Sequence, residues 1–299
     1  ALPGSEWVKV KTRYAGICGS DLNLVRLHDS PSTSVYTSFP FVMGHENIGY
    51  VVEAGTDSTF SVGERVVVDP LLPCSARGIH PACSQCQRQE PQRCENFTEG
   101  SLQPGLILGA CASTGGSWSE HFLAHKSQVF RLPSAFYVEN AALVDAFASS
   151  LHPVARNLPS DSDTVLIVGA GIIGLAAIAS LRALDIKARI IVLARHGFQA
   201  ELARGYGADK AILSRRDGRH MQELADELSG RLAKPILGGP VMIGGGADVV
   251  YECVGARSSI EDAIRFARAG GKVVLIGTAS TVNGLDWTPI WLRELNLVG

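Results

Sequence analysis

The sequence has few charged residues, few aromatic residues and no run of like charge. Charged residues make up 19% of the 299 positions and aromatic residues 7%, and the formal net charge is −2. Because nucleic-acid-binding proteins carry basic patches, this composition predicts no nucleic-acid partner. The opening residues, ALPGSEWVKV, lack the apolar segment of a signal peptide, so we expect a cytoplasmic protein.

One long uncharged run is also strongly apolar, and two structures could explain it. Residues 164–181, TVLIVGAGIIGLAAIASL, contain no charge over 18 residues, which is the lower limit for a membrane span. Three of the first eleven residues of this run are glycine, and that favours a buried strand, a tight turn and a helix instead. We therefore predict no membrane span.

The seven cysteines do not form an even set that a disulfide framework would need. Cys83-x2-Cys86-x7-Cys94 has the spacing of zinc-binding thiolates, and a tetrahedral zinc needs a fourth ligand. Cys74 and His80 are both placed to supply it, Cys74 as the softer ligand and His80 as the nearer one. The alternative is a group of thiols without metal.

Two patterns divide the chain, and its length also fits two domains. Up to about residue 150, short segments rich in valine and aromatic residues alternate with turns, which predicts an all-β domain. From about residue 160, strand and helix patterns alternate, which predicts a doubly wound parallel sheet. We place the domains at residues 1–152 and 153–299, with a cysteine lobe at about 70–98.

The same patterns predict where three helices begin and end. Residues 139–157 should be helical as far as Pro153, because proline breaks a helix interior. Residues 220–233 form an amphipathic pattern. Residues 258–271 should begin with a capping box from Ser258 to Glu261 and end at a double glycine.

The three glycines of the uncharged run have the spacing of a dinucleotide-binding turn, G-x-G-x-x-G. Gly169 would permit the tight turn, Gly171 the approach of a pyrophosphate, and Gly174 the close packing of the helix on the sheet. The helix would begin at Ile172 and Ile173, whose free N–H groups can bind phosphate. The alternative is a tightly packed turn without a ligand.

The cofactor type depends on the end of the next strand. An acidic residue about 20 positions after the last glycine binds the ribose 2′-hydroxyl of NAD. Ala194 occupies that position and Arg195 follows, so no carboxylate would repel a 2′-phosphate and an arginine could pair with it. The sequence therefore favours NADP(H) over NAD(H). Val254 and Gly277, which follow later strands, complete the candidate cofactor residues.

The adjacent pair His45 and Glu46 lies between glycines, in the segment MGHENIGYVVEAG. By itself this pair fits a solvent-exposed turn, a hydrogen-bonded core histidine or a metal ligand. The local sequence does not distinguish these three interpretations.

Four segments together resemble the zinc-dependent alcohol dehydrogenases of the medium-chain dehydrogenase/reductase superfamily. They are AGICGSD, GHENIGYVVEAG, the cysteine lobe and VGAGIIG, and their order and spacing span nearly the whole chain. The resemblance implies an α/β protein with a GroES-like β-barrel catalytic domain and a Rossmann domain. It also implies a catalytic zinc, a structural zinc, a nicotinamide cofactor and a homodimer or homotetramer.

The resemblance assigns roles to individual residues. Cys18 and His45 match ligands of the catalytic zinc, and Asp145 matches the third ligand. Glu46 would lie beside the metal and coordinate it transiently, and Asp21 would orient the histidine.

It also implies a proton relay and a choice of structural ligand. Ser20 would pass on the hydroxyl proton of the substrate. Relatives often continue the relay with a histidine where this chain has Asn23, so the final base stays open. In the structural-zinc lobe, the resemblance favours Cys74 over His80.

Relatives also extend beyond both ends of this sequence. From that difference we expect the last strand of the Rossmann sheet and the returning piece of the catalytic domain to be lacking here.

Three functions are weighed. The first is zinc-dependent hydride transfer between NAD(P) and an alcohol, polyol or amino alcohol. The second is zinc-free, NADP(H)-dependent reduction of an activated double bond, as in quinone or enone reductases. The third is non-catalytic binding of NADP(H) or zinc. The joint presence of Cys18, His45 and Asp145 favours the first.

Overall fold

A computed structural model describes residues 1–215, 217–278 and 281–299. The chain forms two compact units, Ala1–Asp145 and Ala146–Gly299, where the sequence predicted domains at 1–152 and 153–299. No helix within the described ranges is long and apolar enough to cross a lipid bilayer.

The first unit is built on five antiparallel strands. They are β1 (Trp7–Ala15), β2 (Asn47–Ala54), β3 (Arg65–Val68), β4 (His121–His125) and β5 (Val129–Arg131). Their order in the sheet is β4-β1-β2-β3-β5. Alternate residues of β1 face the core, since Val8 and Val10 are fully buried whereas Lys11 is exposed.

Short helices lie in the connections of this unit, and three candidate site residues, Ser20, Asp21 and Cys86, belong to them. They are α1 (Gly19–Val25), α2 (Ser84–Gln87) and α3 (Val138–Ala141), together with 3₁₀ turns at Pro31–Tyr36, Pro91–Arg93 and Lys126–Gln128. The long connection from β3 to β4 contains the cysteine lobe. Helix α4 (Val144–Arg156) spans the division between the two units.

The second unit is built on six parallel strands. They are β6 (Thr164–Val168), β7 (Arg189–Ala194), β8 (Lys210–Leu213), β11 (Ala247–Glu252), β12 (Ala267–Leu275) and β13 (Asn296–Val298), and a separate antiparallel pair is formed by β9 (Arg231–Ala233) and β10 (Val241–Ile243). The sheet order is β13-β12-β11-β6-β7-β8, in which the chain reverses direction of winding between β6 and β11. A last strand, β13, is therefore present, and the expectation that it is lacking was wrong.

Helices alternate with these strands, as the sequence predicted. They are α5 (Ile172–Ala183), α6 (Gly197–Gly205), α7 (Arg219–Glu227), α8 (Arg257–Phe266) and α9 (Thr288–Leu292). Alternate residues of the central strands enter two separate cores, Val165 and Ile167 on one face and Leu166 and Val168 on the other. This burial on both faces explains why the strands read as continuous apolar runs.

The predicted helix ends were wrong in three places. Helix α4 continues through Pro153 to Arg156, because the buried face formed by Ala146, Ser150 and Val154 extends past the proline. The pattern at 220–233 contains α7 only up to Glu227, and its last residues form β9.

The third helix ends at Phe266, and the residues expected to complete it begin β12. Its first turn is closed by Ser259, whose hydroxyl accepts from the Ala256 N–H at 3.1 Å. Glu261 instead pairs with Arg257 at 2.8 Å, so the predicted capping box was also wrong.

Candidate metal centres and cofactor site

Three side chains of the first unit converge where α1 and β2 begin. Cys18, His45 and Glu46 each offer one ligand atom, and these atoms lie within 4.8 Å of one another. Cys18 precedes α1, whereas His45 and Glu46 directly precede β2. A thiol, an imidazole and a carboxylate at this separation are a suitable donor set for Zn²⁺.

Asp21 fixes the orientation of this group. Its carboxylate lies 3.3 Å from His45 Nδ1 and accepts a hydrogen bond of 2.8 Å from the Cys18 main-chain N–H. Asp21 is 4% exposed and His45 is 8% exposed. Because Nδ1 faces Asp21, Nε2 remains the ring nitrogen that can bind a metal.

The pKa values of His45 and Cys18 are both shifted by their surroundings. Burial alone would lower the pKa of His45, but hydrogen bonds to Asp21 and Cys18 and the charges of Asp21 and Asp145 raise it to about 10. The hydrogen bond to His45 lowers the pKa of the Cys18 thiol more than burial raises it. Zinc binding requires a deprotonated thiol and a neutral imidazole, so a metal ion at this site would displace the protons that these two side chains carry.

Two carboxylates compete for the third position. Burial raises the pKa of Glu46 and also that of Asp145, and the Asp145 charge acts on both His45 and Glu46. Within the described residues, the group of ligand atoms includes Glu46 but does not include Asp145. Asp145, at the start of α4, is thus near the site without completing it.

Ser20 lies in the first turn of α1 and contacts the same site. Its hydroxyl and its main-chain N–H both hydrogen-bond to the Cys18 sulfur, and these bonds help to lower the pKa of the thiol. Asn23, the position at which relatives often carry a histidine, accepts the His28 main-chain N–H at 2.8 Å through its main-chain oxygen.

Ser117 and Trp118, which the sequence did not indicate, connect the loop before Cys18 to the loop that carries His45 and Glu46. The Trp118 indole N–H donates to the Gly16 carbonyl at 2.9 Å, and the Ser117 hydroxyl donates to the Glu46 carbonyl at 3.0 Å. A Cβ at Gly44 would lie 2.4 Å from the Trp118 ring, so only glycine allows this contact. The only sequence signal for this contact is a weak one, the glycine at position 44 directly before His45.

The cysteine lobe forms a second group of ligand atoms. The sulfurs of Cys74, Cys83, Cys86 and Cys94 all lie within 4.8 Å of one another, and His80 is exposed and outside the group. Cys94 lies 3.6 Å from Cys74 and 4.0 Å from Cys83. Zinc–sulfur bonds of 2.3 Å in a tetrahedron place sulfurs about 3.8 Å apart, whereas a disulfide needs about 2 Å.

Nitrogen donors point at these sulfurs, as thiolate ligands require. Cys74 accepts from the Cys83 main-chain N–H at 3.4 Å and from the Asn96 side-chain amide at 3.3 Å. Cys83 accepts from the Glu95 main-chain N–H at 3.5 Å, and Cys94 from that of Asn96 at 3.4 Å. These bonds favour the ionised sulfur.

The thiols respond unequally to this environment. Burial would raise the pKa of Cys83, but hydrogen bonds from Glu95 and Cys86 bring it down to about 6. Burial raises the pKa of Cys86 and of Cys94. Without a cation, four adjacent thiolates cannot ionise together, so the lobe fits a divalent metal better than it fits four free thiols.

Arg77 holds the main chain around the cysteine lobe in place through hydrogen bonds from its side chain. Its side chain is fully buried, and in the part of the chain that the structure describes its guanidinium N–H groups donate to main-chain carbonyls of the lobe and of the residues that follow it. These acceptors belong to Leu72, Glu99, Leu102, Gln103 and Gly105, at 2.6–3.3 Å. One side chain therefore fixes the path of the segment that carries the cysteines.

We predict that Arg77→Leu lowers the free energy of unfolding of the first unit by at least about 3 kcal/mol, because several buried carbonyls lose their donors at once. Urea unfolding would measure it. Arg93→Leu is the control, since Arg93 lies in the same lobe but is exposed and, among the described residues, pairs with Glu90 alone. Equal midpoints for both variants would contradict the assigned role.

In the second unit, the glycine turn has the geometry expected of a pyrophosphate-binding loop. Gly169 has φ +98°, and a Cβ at Gly174 would lie 1.9 Å from the Gly169 carbonyl. A Cβ at Gly171 would meet open space, which leaves the main chain accessible to a ligand. Ile172 begins α5 and is 51% exposed, and Ile173 packs against the apolar core.

The remaining candidate cofactor residues surround this turn at the carboxyl ends of neighbouring strands. A Cβ at Gly169 would lie 2.3 Å from Val254, and one at Gly277 would lie 2.1 Å from the Gly255 nitrogen. Glu252, which sequence reasoning missed, is fully buried and accepts the N–H groups of Val254 and Gly255 at 2.9 and 3.0 Å. The crevice outside these strand ends is where doubly wound folds bind dinucleotides.

Ala194 ends β7 and is fully buried, and its carbonyl accepts the Ser214 N–H at 2.8 Å. Arg195 follows at the surface. Among residues 1–215, 217–278 and 281–299, none forms a hydrogen bond or ion pair with its guanidinium. Arg195 thus presents an unused charge beside the position where a ribose-binding acid would lie.

Known proteins with related sequences share both units. The family model described as "Alcohol dehydrogenase GroES-like domain" matches residues 4–134, and that described as "Zinc-binding dehydrogenase" matches residues 173–299. The L-idonate 5-dehydrogenase of Vitis vinifera is 27% identical over 293 residues, which cover 98% of this chain and 72% of that protein. The sorbitol dehydrogenase of Bacillus subtilis is 28% identical over 91% of this chain and 68% of that protein.

A solved structure agrees with these matches. A protein of Sinorhizobium meliloti described as a zinc-binding dehydrogenase, bound to NADP, is 28% identical with a TM-score of 0.74. The match covers 100% of this chain and 78% of that one. The predicted GroES-like and Rossmann domains are therefore confirmed.

The chain belongs to the zinc-dependent alcohol dehydrogenase family of the medium-chain dehydrogenase/reductase superfamily. It is an oxidoreductase that transfers hydride between an alcohol and NAD(P).

Proposed function

We propose that this enzyme oxidises a secondary hydroxyl group of a polyol or sugar acid, at a zinc ion held by Cys18, His45 and a carboxylate. The observation that carries the proposal is the convergence of three different ligand atoms within 4.8 Å, with Asp21 on the far side of the imidazole. The substrate class is supported by relatives named for idonate and sorbitol.

In this proposal each side chain of the site has one role. Zinc bound there would supply a Lewis acid that stabilises an alkoxide. Cys18 and His45 hold the metal, and Glu46 and Asp145 are the two carboxylates available for the third position. Asp21 keeps the His45 Nδ1 proton in place, so that Nε2 stays free to bind.

The proton of the substrate hydroxyl must leave before hydride transfer. Ser20 is half-buried, and its hydroxyl already contacts the Cys18 sulfur, so it lies at the edge of the donor group. We propose that Ser20 takes this proton and passes it outward. The nicotinamide, which the crevice around Gly169, Gly171 and Gly174 would hold, supplies the hydride acceptor.

We also propose a second, structural zinc in the cysteine lobe, which would make two metal ions per chain. Four thiols with sulfur separations of 3.6 and 4.0 Å support it. Four protein ligands leave no open position, so this ion would stabilise the lobe and take no part in the reaction.

The experiment that tests the proposed function is a panel of alcohols and polyols, assayed with NAD⁺ and NADP⁺ before and after chelation. We expect turnover of a polyol that chelation removes and added Zn²⁺ restores. Reduction of a quinone or enone that survives chelation would instead support the zinc-free alternative. Cofactor binding without turnover of either class would support a non-catalytic protein.

Cofactor choice is the second part of the proposal, and we predict a higher kcat/KM for NADP⁺ than for NAD⁺. A charge-assisted pair between Arg195 and the 2′-phosphate contributes on the order of 1.5–3 kcal/mol. That free energy corresponds to roughly 10- to 150-fold in affinity. Arg195→Ala should weaken NADP⁺ and barely change NAD⁺, and Ala194→Asp should reverse the preference.

Arg204→Ala is the matched control, because Arg204 is also an exposed arginine but lies near the end of α6, the helix that follows Arg195. It should leave both cofactors unchanged. An Arg195→Ala variant that loses affinity for both cofactors equally would show that Arg195 does not recognise the phosphate.

The cytoplasmic location of the protein and its assembly as a homodimer or homotetramer stay predictions.

A further inference from the structure

The main chain of His45 is held from a second direction by a residue that the mechanism does not use. Asn47 is 4% exposed and begins β2. Its side-chain amide donates to the His45 carbonyl at 2.8 Å and to the Val68 carbonyl at 2.8 Å. Its side-chain oxygen accepts the Val68 N–H, also at 2.8 Å. Three hydrogen bonds thus come from one buried amide.

These bonds continue the sheet beyond the point where the strands themselves stop pairing. The main-chain pairing of β2 with β3 covers only Gly49 with Val66 and Tyr50 with Arg65. Val68 lies beyond that pairing, and the Asn47 side chain satisfies both its N–H and its carbonyl as a strand neighbour would. The main chain of Asn47 pairs at the same time with Ala15 of β1.

Asn47 therefore connects His45 to a rigid part of the sheet. Val68 is itself paired with Val129 of β5, so the chain of contacts runs from β5 through Val68 and Asn47 to the His45 carbonyl. Asp21 holds the other end of the residue, at Nδ1 of the ring. Main chain and ring are fixed independently, which leaves His45 little freedom to move away from Cys18.

We propose that Asn47 is a positioning residue for the catalytic metal: it fixes the His45 main chain so that Nε2 stays at bonding distance from the ion. The proposal rests on the proposed role of His45 as a ligand. Groups that orient ligands typically change metal affinity by about 10- to 100-fold when they are removed.

The test uses protein whose cysteine lobe is filled with zinc and whose second site is loaded with Co²⁺. Asn47→Leu keeps the side-chain volume and removes all three hydrogen bonds. We expect it to weaken Co²⁺ binding at the second site by roughly 10- to 100-fold in a chelator competition, and to shift the visible d–d absorption of the bound ion. If Asn47→Leu fails to fold, Asn47→Asp serves instead, since it keeps the acceptor but loses both donors.

Gln128→Leu is the matched control. Gln128 is 2% exposed and also makes three hydrogen bonds to main chain, to Asp69 and Leu71 and from His125, at 2.7–3.0 Å. None of these partners is a proposed metal ligand. Gln128→Leu should therefore lower stability about as much as Asn47→Leu and leave both the Co²⁺ affinity and the spectrum unchanged.

The inference is overturned if Asn47→Leu binds Co²⁺ within about threefold of wild type with the same spectrum, or if Gln128→Leu loses as much affinity. Failure of the proposed site is a different result. In that case wild-type protein takes up no second ion, or His45→Ala takes it up as well as wild type does.

Discussion

His45→Ala is expected to reduce kcat/KM by on the order of 10³-fold or more while the protein still folds. The Lewis acid contributes several kcal/mol to the stabilisation of the alkoxide, and each 1.4 kcal/mol is a factor of ten in rate. Folding should survive because the substitution removes only the side-chain contacts of His45 with Asp21 and Cys18, and Asp21 keeps its bond from the Cys18 N–H. Steady-state kinetics, zinc analysis and thermal unfolding measure the three effects.

His125→Ala is the control for this variant. His125 is 5% exposed and lies 3.4 Å from the Glu6 carboxylate, so it matches His45 in burial and in its acidic partner. It belongs to neither group of ligand atoms among the described residues. We expect it to lose some stability and to keep its zinc content and turnover. If His45→Ala retained wild-type kcat, the proposed catalytic site would be wrong.

Cys83→Ser is expected to remove the structural zinc and destabilise the first unit by several kcal/mol. Structural zinc contributes its binding free energy to folding, and that free energy reaches about 10–16 kcal/mol in isolated zinc fingers. A loss of about 4 kcal/mol would lower the Tm of a domain of this size by about 10 °C. Calorimetry and zinc analysis on the same sample would show both changes, with one ion per chain remaining.

Cys111→Ser is the matched control for the lobe. Cys111 is fully buried in the same unit, but it lies outside the four-sulfur group, and its sulfur contacts only the Gln103 carbonyl among the bonds described. Its substitution should leave the zinc content at the wild-type value. A Cys83→Ser protein that kept all its zinc and its Tm would contradict a structural role for the lobe.

Local chemistry was enough to predict the parts of the fold that short-range sterics determine. The turn at 169–174 needs glycine because a side chain at Gly174 would clash with the Gly169 carbonyl. The spacing of the glycines in the sequence was therefore enough to predict this turn. The alternation of strands and helices after residue 160 likewise follows from patterns within single elements. The strand and helix at 164–181, which length alone could have made a membrane span, were predicted correctly.

Helix ends were predicted poorly because tertiary packing decides them. Pro153 lacks an N–H, yet the helix continues because Val154 buries its side chain one position later. Residues 267–271 have a helical pattern, but they belong to β12, which pairs with β11 at Ala267 and again from Lys272 to Leu275. Neither the burial of Val154 nor the pairing of β12 with β11 can be inferred from neighbouring residues in the sequence.

The residues that hold the candidate site were the hardest to predict, since their contacts join distant parts of the chain. Trp118 donates to a carbonyl 102 positions away, and Asn47 bridges to Val68 over 21 positions. The motif around His45 indicates which atoms could bind a metal. It does not indicate which side chains fix the loops that carry them.

The central claim is that a metal ion lies between Cys18 and His45, in addition to one in the cysteine lobe. Diffraction at the zinc absorption edge, from crystals grown with saturating Zn²⁺, tests it most directly. The account predicts two anomalous peaks per chain, one among the four lobe sulfurs and one about 2.0–2.3 Å from both Cys18 Sγ and His45 Nε2. A peak in the lobe alone, or a second peak that contacts neither Cys18 nor His45, would contradict it.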